Sequence, residues 1–256
     1  MLAAVLSDLV DRVFGAQPDP PALLVLVTAL AALAVVFTRT LWRLARSVVT
    51  IAHEGGHALF AVLTGRRLTG IRLHSDTSGL TLSAGRPTGL GMVVSLFAGY
   101  VTPSLLGLAG AALLAAGRIT LLLWVAVALL LATLVMTRNA YGILAVLAIT
   151  AGVFAVSWYA DPAAQAAFAY AGVWFLLLGG VKPVGELQRL RRRGRLPNSD
   201  ADQLSRITRV PALVWVGLFA VVTALALVTG GALLLEPIVG EEVSWPALFG
   251  EHLGMT

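Results

Sequence analysis

The chain has 256 residues, 58% hydrophobic and only 12% charged, with a net charge of +5 and no cysteine. A soluble domain carries roughly 25% charged residues, so the composition excludes an ordinary water-soluble protein and points to a single membrane-embedded domain over residues 1–256. Disulfides and thiolate metal ligands are excluded as well. Positive charge in so apolar a chain bespeaks orientation and contact with anionic lipid headgroups before nucleic acid.

Residues 1–20 carry Leu2, Val5, Leu6, Leu9, Val10 and Val13 at helical spacing, with Asp8, Asp11 and Arg12 between them. The pattern predicts an amphipathic N-terminal segment at the membrane surface. It has neither the basic start nor the long apolar middle of a cleaved signal peptide. Residues 22–37 form the first apolar run, which Thr38 and Leu41 extend to spanning length. Arg39, Arg43 and Arg46 follow at helical spacing and lead into His53-Glu54-Gly55-Gly56-His57, inside an otherwise apolar run over 48–63.

On a helix, residues four apart share a face, so His53 and His57 can present two imidazoles to one ion. Glu54 beside them can accept a proton from water at that ion. Two histidines and a carboxylate at membrane depth are costly unless they pair or bind something. Helix–helix hydrogen bonding is the plainer use of the same residues. Gly55 and Gly56 each cost a helix interior up to about 1 kcal/mol relative to alanine, which implies close approach of another helix or of a substrate.

Residues 65–88 break the membrane pattern. Ile71-Arg72-Leu73-His74 and Leu80-Thr81-Leu82-Ser83 alternate around the turn formers Ser75-Asp76-Thr77-Ser78-Gly79, which predicts a β-hairpin. Apolar segments follow at 90–116, 119–136, 140–159, 163–181 and 212–235. Pro103 is expected to kink the first of them. Asp161 is placed to cap the helix after Asp161-Pro162. Residues 182–210 form a basic loop in which Lys182, Arg189, Arg191, Arg192, Arg193, Arg195, Arg206 and Arg209 oppose Glu186, Asp200 and Asp202. Within it, Ser199 and Asp202 have the spacing of a capping box. Residues 236–256 are an acidic tail with no lysine or arginine.

The basic loop is expected in the cytoplasm and the acidic tail outside. Counting single crossings back puts the hairpin and Arg138 on the cytoplasmic side. The expectation is an all-α polytopic membrane protein, a bundle of about seven transmembrane helices (six to seven) with a small cytoplasmic β-hairpin. With seven crossings, the His53–His57 helix crosses fully and the N-terminus lies inside. If that helix enters and returns, Arg39, Arg43 and Arg46 fall inside too.

With cysteine absent, a zinc ion held by His53 and His57 takes its third ligand from N or O donors. Asp161 and the residues from Glu236 onward should lie outside, as should His252 in the tail. Glu186, Asp200 and Asp202 should lie on the cytoplasmic side, where the histidine helix is expected to end. Asn139 is a poorer ligand, better suited to bonding a backbone group, and His74 sits on a predicted strand.

The His53-Glu54-Gly55-Gly56-His57 motif, followed by Leu63-Thr64-Gly65, a short β-stretch and an apolar segment with Gly99-Tyr100, resembles the site-2 protease class of membrane-embedded zinc metallopeptidases. It is most similar to their compact bacterial B-like branch, which lacks an inserted PDZ domain. These motifs cover residues 51–104, and Ser199-Asp200-Ala201-Asp202 extends the similarity over most of the chain. The resemblance implies hydrolysis of peptide bonds of membrane protein substrates, near the cytoplasmic side of a cell membrane. It implies zinc on His53 and His57, Glu54 as general base, and Asp200 as the preferred third ligand ahead of Glu186. The hairpin would hold an extended substrate by strand addition. One departure stands out: the family at large takes its third ligand from an Asp-Gly motif, and no aspartate here precedes glycine. That departure suits a rival reading, a protease-like protein that binds zinc or partners without cleaving. A transporter or structural bundle with an accidental motif is a further one.

Overall fold

A computed structural model describes residues 13–194 and 198–240, with side chains to residue 236. Most of the amphipathic segment expected in 1–20, and the tail beyond 240, lie outside the described residues. In chain order the elements are α1 (Ala22–Phe37), α2 (Arg39–Leu63), β1 (Arg67–Leu73), β2 (Gly79–Ala84) and α3 (Leu90–Ala115). They continue as α4 (Ile119–Met136), α5 (Ala140–Tyr159), α6 (Pro162–Arg192), α7 (Asp200–Thr208) and α8 (Ala212–Gly240).

Helices α3, α4, α5, α6 and α8 are each long and apolar enough to cross a membrane, and together they make a multi-pass helical bundle. The first two helices depart from the expectation of seven crossings. α1 has only 16 residues, and α2, which carries three arginines in its first half, leaves it at 100°. Taken as one bent span, the pair raises the number from five to at most six. The corner is Thr38, which is extended (φ −81°, ψ 118°) and ends the run of helical hydrogen bonds. It rests on α6: Lys182 donates to the Val36 carbonyl that the bend leaves free, and its ammonium sits 4.4 Å from the centre of the Trp42 ring.

The bend also moves the start of the chain. Gln17 donates to the Gly117 carbonyl, and its side chain accepts from the Thr120 amide. It therefore lies at the α3–α4 turn, whereas Val36, at the far end of α1, meets α6 near the basic segment. Full crossings by both α1 and α2 would have put residue 17 and the basic segment at one end. The bend at Thr38 is the physical reason they lie at opposite ends.

α3 packs against α2, α6 and α8. Its C-terminal half joins the largest aliphatic cluster, with Ala111 and Leu114 against Tyr170, Val173 and Leu177 of α6, Val25 of α1 and Leu234 of α8. The helix is unbroken through Pro103, so the proline does not divide the span.

The expected hairpin is present. β1 and β2 pair antiparallel with Ile71 opposite Thr81 and a bulge between Leu68 and Gly70. At the turn, Asp76 accepts from the Ser78 amide and hydroxyl, and Thr77 takes a left-handed conformation (φ 67°). Ile71 and Leu73 point inward onto Ile51, Ala58 and Val146. The outer edge of β1 is covered by the α4–α5 turn: Arg138 donates its amide to Ile71, while Asn139 accepts from the Leu73 amide and donates to its carbonyl. Asn139 thus bonds backbone. The outer edge of β2 has no strand beside it among the described residues.

Candidate metal centre

α2 sets His53 and His57 one turn apart, their Nε2 atoms 3.0 Å from each other and their rings perpendicular. The orientation of His57 is fixed from α3. Its Nδ1 lies 2.7 Å from the Ser95 carbonyl, and the Ser95 hydroxyl donates to the His57 carbonyl at 2.9 Å. A carbonyl only accepts, so Nδ1 carries the proton and Nε2 presents a lone pair to the site. Such contacts require the helices to meet closely. Gly56 faces Thr102 and the Ala98 carbonyl, and a Cβ on it would sit 3.0 Å from that oxygen. A Cβ on Gly99 would run into the His57 ring and come within 2.9 Å of His53. Close packing is thus the use of Gly56 that its position in a helix interior implied.

α7 supplies the carboxylate. Ser199 caps this helix, and Asp202 completes the capping box while accepting two hydrogen bonds from Arg191 at 2.7 and 3.0 Å. With both ends of the box filled, Asp200 at the first helical position is free to point elsewhere. Its Oδ2 lies 3.3 Å from the Nε2 of both histidines.

One ligand atom from each of His53, His57 and Asp200 falls within 4.8 Å of the others. The other residues singled out in the sequence lie apart from this cluster. Glu186, the alternative third ligand, pairs with Arg46 on the first half of α2 at 3.4 Å. Asp202 is committed to Arg191 and Ser199, Asn139 to β1, and His74 to the exposed hairpin turn near Ser78.

Glu54 is buried (4% exposed), and its carboxylate meets the hairpin. Thr81 of β2 donates to Glu54 Oε2 at 2.6 Å, and Gly79 lies so close that a Cβ there would collide with the carboxylate. Sequence reading alone did not single out Thr81, Gly79 or Ser95. Thr81 occupies an ordinary polar position of an alternating strand, and Ser95 an ordinary small position of an apolar helix. Nothing local marks either one.

These residues suit zinc. Two imidazole nitrogens and a carboxylate oxygen are donors that zinc takes in tetrahedral sites with one position open. Three lone-pair donors converging on one point also repel one another unless a cation lies between them. A multi-pass helical bundle with such a centre among its helices defines a class, the membrane-embedded metalloproteins.

The Peptidase M50B-like family model matches residues 26–230, and the chain belongs to that family. It is a membrane-embedded zinc metallopeptidase of the site-2-protease type. Among curated proteins and among solved structures, nothing matches the chain.

Proposed function

We propose that His53, His57 and Asp200 hold the zinc ion and that Glu54 is the general base for hydrolysis of peptide bonds in membrane protein substrates. The observation that carries the assignment is the placement of Asp200 Oδ2 at 3.3 Å from both histidine nitrogens. When bound, zinc supplies the Lewis acidity that makes water nucleophilic near neutral pH and polarises the scissile carbonyl. Glu54 receives the proton of the attacking water and returns it to the departing nitrogen. Thr81 engages Oε2 and leaves Oε1 for the proton. Oε1 lies against Gly79, where no side chain stands in the way.

A helical substrate hides its carbonyls in hydrogen bonds, so the cleaved segment must be extended. The unpaired outer edge of β2 suits it: a strand added there lies beside the strand that holds Glu54. We read the end of the bundle bearing the hairpin and basic segment as cytoplasmic, on the strength of its arginines. Arg189, Arg192 and Arg193 are exposed there and suit anionic lipid headgroups. On this reading the chain crosses six times, and α2 begins and ends on the cytoplasmic side.

The test pairs zinc content with cleavage in detergent. Glu54→Gln is expected to keep one equivalent of zinc and lose about 10²–10⁴-fold in rate. Asp200→Ala is expected to lose both zinc and cleavage. Wild-type cleavage by either variant overturns the corresponding role. Reporters fused after Arg193 and after Glu251 should read as cytoplasmic and external, and the reverse labelling sinks the orientation.

A further inference from the structure

Tyr100 has no part in holding the metal centre or activating water as derived above, yet it is held against the centre from two sides. Its ring meets His53 edge-on, with centroids 4.8 Å apart and planes at 89°. On its other side it stacks on Phe219 of α8 at 4.9 Å and 17°. Phe219 is itself fully buried. The preceding residue is Gly99, where a Cβ would run into the His57 ring, so the backbone that carries Tyr100 passes close against the histidines.

The ring is therefore fixed, but its hydroxyl is not used. No described residue forms a hydrogen bond with it, although it lies within Coulombic range of Asp200, Arg46, Glu186 and Glu54. Gly99 and Val101 are buried while Tyr100 is partly exposed. An apolar contact between His53 and Phe219 needs only a phenyl ring. A phenol there adds one O–H donor that no described residue receives. Preorganised donors of this kind act where negative charge develops during a reaction.

We propose that Tyr100 is a further catalytic residue: its hydroxyl donates a hydrogen bond to the carbonyl oxygen of the scissile peptide as that oxygen becomes an oxyanion. The inference rests on the peptidase reading above. The water oxygen forms a bond to the carbonyl carbon, and the carbonyl π pair moves onto oxygen, where Tyr100 stabilises it while keeping its own proton. Glu54 holds the proton taken from water. When the pair returns, the C–N bond breaks and Glu54 protonates the leaving nitrogen. The products are a carboxylic acid and an amine, with the enzyme unchanged.

Tyr100→Phe tests this, because it keeps the ring between His53 and Phe219 and removes only the donor. The expected result is a kcat about 10²–10³-fold lower, with KM, zinc content and Tm at wild-type values. A second measurement needs no turnover. A phosphinic peptide, whose tetrahedral oxyanion imitates the reacting carbon, should bind Tyr100→Phe weaker by a similar factor. The matching uncleaved peptide should bind Glu54→Gln and the Glu54→Gln/Tyr100→Phe double variant equally. Unchanged phosphinic-peptide affinity overturns the proposal. So does a loss of zinc in Tyr100→Phe, which would make Tyr100 a positioning residue for His53. If zinc-loaded wild-type protein cleaves nothing, the peptidase reading fails instead, and the binding comparison still decides whether Tyr100 meets an oxyanion.

Discussion

The two halves of α3 both meet a neighbouring helix across glycine, and the closeness serves different ends. Toward α2, Gly99 and Ser95 meet His57, and the contacts are directional: a ring nitrogen on a carbonyl, a hydroxyl on a backbone oxygen. Toward α6, Gly107 meets Leu177 and Gly110 meets Val173, and the contacts are aliphatic packing. Packing of the second kind weakens gradually when a side chain shifts, because it is summed over many atom pairs. The proposed ligand set would not degrade that way, since a displaced imidazole would no longer point at an ion. One helix thus holds a region that tolerates little displacement and a region that tolerates more.

The sharpest way to break this comparison is to make one substitution in each half. Gly99→Ala is expected to have the largest effect. Its Cβ collides with the His57 ring and crowds His53, so bound zinc should fall well below one equivalent and cleavage should cease, as read by metal analysis and a substrate assay. Full zinc in this variant would mean that the glycine is not what lets the histidines converge.

Gly107→Ala should come next. Its Cβ would lie 2.9 Å from Leu177 Cγ and from the Leu177 backbone nitrogen, an overpacking that costs about 1–3 kcal/mol. Thermal unfolding in detergent should shift down while zinc remains at one equivalent. If zinc and Tm fall together, the two halves are not independent.

The smallest effect is expected at Asp202, which serves the site only by completing the cap that frees Asp200. Asp202→Ala should cost about 1 kcal/mol, as lost caps do. Burial alone would raise the Asp202 carboxyl, but the Arg191 and Ser199 hydrogen bonds outweigh it and hold the group below its ordinary 3.8. A depressed carboxylate stabilises fully above the unfolded value and loses that contribution as pH falls through the folded one. The Tm gap between wild type and Asp202→Ala should therefore be full above pH 3.8 and close on acidification below it. A gap that is flat across this range would remove Arg191 from the account.

Much of this protein was determined by local sequence. Apolar runs of spanning length, the hairpin alternation around Ser75–Gly79, the Asp161 cap and the Ser199–Asp202 box are all effects of neighbours along the chain, and the structure repeats them. His53 and His57 share a face because four residues make about one helical turn. What only the tertiary structure decided depends on where separate helices meet. The 100° corner at Thr38 relies on Lys182, almost a hundred and fifty residues away, to donate to the carbonyl that the bend leaves free. The three acids of the basic loop part in the same way. Arg46 claims Glu186, while Arg191 and Ser199 engage Asp202 and leave Asp200 for the histidines. Spacing along a chain cannot tell one carboxylate from another when the partner that claims each is brought in by folding.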